Sequence, residues 1–207
     1  SMYKLPHFTE QNNEAVIAFM KEYSFAVITG MGTDFPVATQ IPLFVEIKED
    51  GKIILSGHLM KNTDHHKAFE QNENVLVIFP GPHTYVSASW YTQKNVASTW
   101  NYMSVHAKGK IKFLDEAATY QAVKSITEKY EGPHSPASFH ELPEDYVSKL
   151  VKAIVGFKIE VISYENVFKL SQNHGEATRE SIISHLSSKH DTDSKSIAEE
   201  MEKRLKE

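Results

Sequence analysis

The stretch 81–110 constrains the fold of this chain more than any other part of it. It holds both tryptophans, Trp90 and Trp100, and the rings of Tyr91 and His106 lie close to them in sequence. Serine, threonine and asparagine stand between these rings, whereas an ordinary core strand prefers branched aliphatic residues. The stretch therefore forms either a hairpin with an aromatic core face or the wall of a site for a flat ligand with polar edges. Composition alone favours the hairpin.

The overall composition is that of a globular protein and excludes several functions. The 207 residues are 41% hydrophobic and 24% charged, which allows a real core. The net charge is −5, so the chain as a whole has no electrostatic attraction to nucleic acid. The absence of cysteine excludes disulfides, thiolate metal sites and cysteine nucleophiles. No apolar run approaches the length of a membrane span and no signal sequence is evident, so we expect a cytoplasmic protein.

Helical spacing of apolar residues predicts five helices before the C-terminal tail. Thr9 is the expected cap of the first helix, and Thr63 or Asp64 is the expected cap of the second. The predicted helices cover 10–22, a short segment ending at Phe69, 115–130, the segment from Pro143 to Gly156, and 178–188.

Strand signals predict a mainly β protein. Pro42 marks an edge or a bulge because proline cannot donate to a ladder. Asp50–Gly51 predicts a hairpin turn, and the Pro–Gly–Pro run at 80–82 is expected to end the strand before it. Six or seven short strands with helices between them indicate an antiparallel barrel with helical decoration. The predicted strands cover 25–29, 37–47, 53–57, 75–79, 85–87, 100–113 and 157–161.

The tail from Asp191 onward is more charged than the rest of the chain. Its narrow apolar stripe of Ile197, Met201 and Leu205 suggests a helix that either packs on a partner subunit or extends into solvent. We therefore expect one domain over 1–190 and a charged helical tail over 191–207. Three i,i+4 pairs in the favourable order support the helix: Glu199–Lys203, Glu200–Arg204 and Glu202–Lys206.

The segment 56–63 has the features of an anion site. Gly57 is expected to end a strand and leave backbone amides free, and a helix N-terminus follows a few residues later. Lys61 adds a positive charge, and hydroxyl and imidazole donors lie beside it. A phosphate monoester fits such a site, and a plain strand–turn–helix joint with an exposed lysine is the alternative. No glycine-rich nucleotide loop occurs in the chain.

Two further groups of polar residues are candidate sites. A metal site at His58, Asp64, His65 and His66 is disfavoured, because adjacent histidines on a helix point about 100° apart, and we expect no metal. The segment 169–173 could meet a phosphate or a ring carbonyl, and a solvated strand end is the alternative.

Several blocks of the sequence resemble the PaiB-like family of FMN-binding negative transcriptional regulators. They read GPHTYVSASWY, TWNYMSVHAKGKI, AIVGFKIEV and FKLSQN, and the opening MYKLPHF and the block ending in GHLMKNTDH resemble the family too. The likeness runs from about Met2 to Leu186, and the tail beyond His190 lies outside it. It implies the FMN-binding split β-barrel, an antiparallel Greek-key-like barrel with peripheral helices. Proteins with this fold form homodimers with flavin at the subunit interface.

The resemblance also implies a set of cofactor-binding residues. The isoalloxazine ring would lie beside the strand 39–42, the end of the third strand would hold the ribityl phosphate, and aromatic residues, partly from the second subunit, would line the site. The implied residues are Thr39, Gln40, Ile41, Pro42, Ser56, Gly57, His58, Lys61, Asn62, Trp90, Tyr91, Trp100, Asn101, His106, Lys169, Ser171, Gln172 and Asn173.

Two positions depart from the family pattern. Many relatives have a basic ARANP-type turn where this chain reads MKNTD, so Lys61 is the only cation of its turn. Many relatives also carry histidine before the strand proline, where this chain has Gln40.

Three functions fit the resemblance. The first is a flavin-binding regulator or sensor, for which direct DNA binding is doubtful because the chain is acidic and its last two helices carry few basic residues. The second is an FMN-dependent oxidoreductase, similar to flavin reductases or pyridoxamine-phosphate oxidases, acting on a small molecule. The third is a relative of the same barrel that handles heme or another ligand.

Overall fold

The computed structural model describes residues 2–205, which form seven strands and six α-helices. No helix within this range has the length and apolar content that crossing a membrane requires. The strands are β1 (Phe25–Met31), β2 (Pro36–Pro42), β3 (Phe44–Ile47), β4 (Ile53–Met60), β5 (Asn74–Val86), β6 (Thr99–Phe113) and β7 (Ile154–Lys169). The helices are α1 (Asn13–Glu22), α2 (Asp64–Gln71), α3 (Glu116–Glu131), α4 (Glu144–Ala153), α5 (Glu176–Ser187) and α6 (Thr192–Leu205).

All seven strands belong to one sheet whose two edge strands are neighbours in sequence. The strand order is β2-β1-β5-β6-β7-β4-β3, and β2 pairs antiparallel with β1, as β3 does with β4. Only the fully buried Leu43 separates the edge strands β2 and β3. The sheet must therefore curve back on itself, as in a barrel. The fold class predicted from the sequence, a mainly β split barrel with peripheral helices, is confirmed.

The chain forms two compact units. The terminal unit contains the residues up to Phe19, Pro80–Val105, and the residues from Glu165 onward. The central unit contains Met20–Phe79 and His106–Tyr164. The predicted division of the chain into one domain and a tail at residue 190 stays a prediction.

The Pro–Gly–Pro run does not end a strand, contrary to expectation. β5 continues through it to Val86. Pro80 and Pro82 are two positions apart, so their missing N–H groups lie on the same edge of the strand. β1 pairs with β5 only through Leu76–Ile78, so the prolines lie beyond the part of β5 that β1 requires as a donor.

Several element boundaries also differ from the prediction. α1 begins at Asn13 because the side chain of Asn12 accepts hydrogen bonds from the amides of Glu14 and Ala15, whereas the Thr9 hydroxyl donates to Leu5. The predicted strand 37–47 is two strands, and the Asp50–Gly51 hairpin is confirmed, with Gly51 at φ 83°. The last strand is far longer than 157–161, because the helix before it ends at Ala153 and Gly156 lies within β7.

The C-terminal helix α6 packs on its own chain. It lies against α5 in the terminal unit, and its buried face is Ser194, Ile197, Ala198 and Met201. Neither expectation for the tail, packing on a partner or extending into solvent, is correct for this face.

One of the expected charge pairs of α6 is replaced by other pairs. Arg204 bonds Glu10 at 3.1 Å and Lys203 bonds Glu200 at 3.0 Å, so the expected Glu200–Arg204 pair does not form. The expected Glu202–Lys206 pair lies outside the described residues.

We expect Ile197→Ala to destabilise the protein by about 2–5 kcal/mol, because it leaves a cavity under a fully buried side chain. Urea unfolding followed by circular dichroism measures this loss. The matched control is Glu199→Ala, an exposed position of the same helix, which should change stability by less than about 0.5 kcal/mol. Equal effects of the two variants would show that α6 is not packed as described.

Candidate functional site

The strand β4 presents two different faces in the central unit. Leu55, Gly57 and Leu59 are buried, and Ser56 and His58 lie half-buried on the other face. A Cβ atom at Gly57 would lie 2.9 Å from Cζ of Phe157. Gly57 is therefore required for close packing inside the sheet. The sequence predicts that Gly57 ends the strand. This prediction is wrong, because β4 pairs with β7 as far as Met60.

The turn after β4 uses its backbone amides internally. Asn62 adopts a left-handed conformation with φ 65° and donates its N–H to Nδ1 of His66 at 3.1 Å. The amide of Lys61 donates to the carbonyl of Ala153 at 3.0 Å. Thr63 caps α2 by accepting the N–H of His66 at 3.2 Å, which confirms one of the two expected caps. The expectation of free amides at Lys61 and Asn62 is therefore wrong.

Lys61 supplies the positive charge at this turn. Its side chain is exposed, and its ammonium group has no hydrogen bond or ion pair with any residue in the range 2–205. The N-terminus of α2 begins three residues later, at Asp64, and its dipole favours an anion nearby. An anion at this turn would be held by the lysine side chain and the helix terminus, with little help from the turn's own amides.

His58 adds a neutral imidazole to the same region. Burial lowers the pKa of the His58 ring, so at pH 7 the ring carries one donor and one acceptor nitrogen. His106, the other implied histidine, is half-buried on β6.

The strand β2 carries four of the implied residues along an edge of the sheet. β2 lies at one end of the strand order, so one of its backbone edges has no strand beside it in the described part of the chain. Ile41 is buried, Thr39 and Pro42 are half-buried, and Gln40 is exposed. A free strand edge offers backbone donors and acceptors to a ring with polar edges.

Lys158 is a candidate that the sequence analysis missed. In the pairing of β4 with β7, Lys158 stands directly opposite Ser56, and Ser56 stands opposite Phe44 of β3. All three side chains line a cleft of about 400 Å³ beneath α3. Only the strand register brings these residues together, and nothing local in the sequence signals it.

The implied aromatic residues lie in the terminal unit and mostly have partners there. Trp90 stacks on His185 with ring centroids 4.9 Å apart and planes 11° apart, and Tyr91 lies 4.7 Å from His174. Trp100 is 53% exposed and meets Tyr85 edge-on at 6.0 Å. Trp100 is thus the member of this set most open to a ligand or a second subunit.

The polar residues of the terminal unit form an internal network. Asn101 is fully buried and donates to the Ser171 hydroxyl at 2.9 Å, which holds Ser171 at φ 63°. Gln172 is tied to its own segment, accepting the N–H of Leu170 at 2.8 Å and donating to the carbonyl of Phe168. Asn173 is exposed. These contacts give Asn101, Ser171 and Gln172 a structural role, and direct contact with a cofactor stays a prediction.

Lys169 is a partly buried cation of the terminal unit. Its ammonium donates to the Thr99 hydroxyl at 2.6 Å and lies 5.8 Å from the centre of the Phe8 ring. Burial lowers the pKa of the Lys169 ammonium. A neutral hydroxyl and a ring face leave its charge uncompensated, which favours an anionic ligand.

Within residues 2–205, no group of three or more histidine, aspartate or glutamate side chains is arranged to hold a metal ion.

The residues implied by the family resemblance fall into two sets, one in each unit. The central unit holds Thr39, Gln40, Ile41, Pro42, Ser56, Gly57, His58, Lys61, Asn62 and His106. The terminal unit holds Trp90, Tyr91, Trp100, Asn101, Lys169, Ser171, Gln172 and Asn173.

The fold is shared with solved flavin proteins. The flavocytochrome Anf3 from Azotobacter vinelandii matches with a TM-score of 0.61 and 15% identity, over 78% of this chain and 69% of that one. The FAD and heme binding protein from Mycobacterium smegmatis matches with a TM-score of 0.58 and 13% identity, over 78% and 73%. At these identities the likeness concerns the fold alone.

The sequence also identifies the family. Residues 2–163 match the family described as "Putative FMN-binding domain", and the chain belongs to this family. It is 35% identical to "Protease synthase and sporulation protein PAI 2" of Bacillus subtilis (strain 168) over 206 residues, 99% of each chain. An uncharacterized protein of Emericella nidulans is 31% identical over 71% of this chain and 73% of its own.

These matches confirm the resemblance to the PaiB-like family and, through the family, FMN as its cofactor. The alignment with the Bacillus protein includes the tail, so the expectation that the likeness ends near His190 is wrong.

We expect Asn101→Ala to destabilise the protein by roughly 1–3 kcal/mol, because it leaves the buried Ser171 hydroxyl without its partner. Thermal or urea unfolding measures the change. Asn173→Ala, at an exposed position two residues after Ser171, is the control. Unchanged stability in Asn101→Ala would show that the network does not hold this segment.

Proposed function

We propose that this protein is an FMN-binding regulator that works as a homodimer, with the flavin at the subunit interface. Membership of the family supports the cofactor. The single structural observation that carries the proposal is Lys61, an exposed and unpaired cation placed between the end of β4 and the N-terminus of α2. A phosphate on a planar cofactor is a ligand of the right charge for that position.

The residues of the central unit suit the two ends of FMN. Lys61 would hold the phosphate, and the free edge of β2 at 39–42 would offer backbone groups to the ring. The cofactor would supply electron-transfer chemistry when bound. The chain's own task is to bind it, orient it and limit the access of water.

A dimer is supported by large apolar side chains that the single chain leaves exposed. In the central unit Phe25 is 58% exposed and Phe35 is 80% exposed, and in the terminal unit Trp100 is 53% exposed. Aromatic residues are enriched at the buried centres of protein interfaces. Most homodimers use the same patch on both subunits.

A regulatory role is supported by the similarity to PAI 2, whose name refers to protease synthase and sporulation. Direct DNA binding is not supported by the charge distribution. The net charge is −5, and on α6 Arg204 and Lys203 are engaged with Glu10 and Glu200. Regulation would then act through the flavin or a small ligand.

An FMN-dependent oxidoreductase is the second candidate function. The observation in its favour is the His58 imidazole, which is neutral at pH 7 because burial lowers its pKa and can therefore donate or accept a proton. NADH or NADPH should reduce bound flavin if this function holds. Absence of reduction with either nucleotide would contradict it.

We expect Lys61→Ala to weaken FMN binding by roughly 1.5–3 kcal/mol, because it removes a charge-assisted contact with the phosphate. Riboflavin, which lacks the phosphate, should bind the variant as it binds the wild type. Quenching of flavin fluorescence measures both affinities, and Lys112→Ala, at an exposed position of β6, is the control. Unchanged FMN affinity would place the phosphate elsewhere.

We expect no saturable binding of duplex DNA at low salt. Phosphate contacts dominate DNA affinity and make it salt-dependent, and the acidic chain offers few of them. A gel-shift titration at two salt concentrations tests this. Saturable binding that weakens steeply with salt would overturn the expectation.

A further inference from the structure

A cleft in the central unit lies between α3 and the outer face of the sheet. Its floor is a row of residues across three neighbouring strands, with Phe44, Ser56 and Lys158 opposite one another in the strand register. Its roof is one face of α3. The volume is about 400 Å³, which lies within the range of small-molecule sites.

The cleft is open because α3 presents small side chains to the sheet. Three of the five α3 residues in the lining, Ala118, Ala122 and Ser125, follow helical spacing and are short. The other two are Gln121 and Ile126. A helix that seals against a sheet normally does so with large apolar side chains. Leu114 and Ile126 add apolar surface to the lining.

Four polar side chains converge on this cleft without partners. Within residues 2–205, the side chains of Ser56, Gln121, Ser125 and Lys158 make no hydrogen bond or salt bridge. Two hydroxyls, one amide and one ammonium are thus available as donors. Polar donors among apolar lining residues such as Phe44, Leu114 and Ile126 are the usual arrangement of a small-molecule site.

The charges at the cleft favour an anion. Glu46 is the only acidic residue in the lining, and Lys48 donates to its carboxylate at 2.8 Å. Lys129 of α3 is a second cation near Phe44, with its ammonium 5.5 Å from the centre of the Phe44 ring. The hydrogen bond from Lys48 and, less strongly, the charge of Lys158 lower the pKa of the Glu46 carboxyl. Lys158 thus attracts Glu46 but forms no ion pair within residues 2–205.

We infer that this cleft binds a phosphate monoester whose apolar body packs on Phe44, Leu114 and Ile126 and whose phosphate meets Lys158 and Ser56. The phosphate has two sources, a second small molecule or the flavin itself. The second source rests on the proposed function, and it would place the single phosphate of FMN at Lys158 and not at Lys61. Ser56 and Met60 are four residues apart on β4, about 13 Å, so Lys158 and Lys61 serve opposite ends of this strand.

Phenyl phosphate is the probe, because it joins a phosphate to one apolar ring. Calorimetric titration should show binding to the wild type and a loss of about tenfold to a hundredfold in Lys158→Gln, as expected for one charge-assisted contact. Ala122→Leu should weaken binding as well, because it fills the cleft without changing its charge. Lys149→Gln, at an exposed position of α4, should bind as the wild type does.

Titrations with FMN and riboflavin identify the source of the phosphate. If Lys158→Gln weakens FMN binding and leaves riboflavin binding unchanged, the flavin supplies it. If FMN binding is unchanged and phenyl phosphate binding to the FMN-loaded protein is lost, a second molecule supplies it. If phenyl phosphate binding depends on Lys158 in a protein that takes up no flavin, the proposed function fails and this inference stands. The inference is overturned if neither phenyl phosphate nor FMN binds Lys158→Gln more weakly than the wild type.

Discussion

The antiparallel pairing of β4 with β7 is the interaction on which the rest of the site depends. It carries β4 past Gly57 to Met60, and the next residue, Lys61, donates its amide to Ala153, just before β7 begins. The same register sets Ser56 opposite Lys158. A slip of one residue would turn Ser56 and His58 into the core and bring Leu55 and Leu59 out. The burial of those leucines therefore fixes the positions of Lys61 and Lys158.

Two groups of polar side chains, one in each unit, differ in how fully they are paired. In the terminal unit the buried amide of Asn101 and the hydroxyl of Ser171 satisfy each other, so this network stabilises a left-handed residue and the segment around it. In the central unit the polar side chains of Lys61, Ser56 and Lys158 have no hydrogen-bond or ion-pair partners within 2–205. Polar groups left unpaired on a well-packed scaffold are those that a ligand can use.

Much of the fold followed from the sequence, because strand alternation, the Asp50–Gly51 turn and the helical stripes are local signals. The missed features depend on distant partners. Proline at 80 and 82 is tolerated because of where β1 stops pairing. The apolar stripe of α6 is a local signal, but its packing on α5 of the same chain is not. From the sequence alone, Lys158 looks like an ordinary exposed strand residue. Only the strand register shows that it lies opposite Ser56. The aromatic stretch fits either a core or a site by its sequence. In the structure Trp90 and Tyr91 contact histidine rings, whereas Trp100 is exposed.

The most direct test of the account is whether the protein retains FMN. The purified protein is incubated with FMN, passed through a desalting column and examined by absorbance spectroscopy. We expect the protein fraction to show the bands of an oxidised flavin and riboflavin to be retained less well. A colourless protein fraction after incubation with FMN would contradict the central claim.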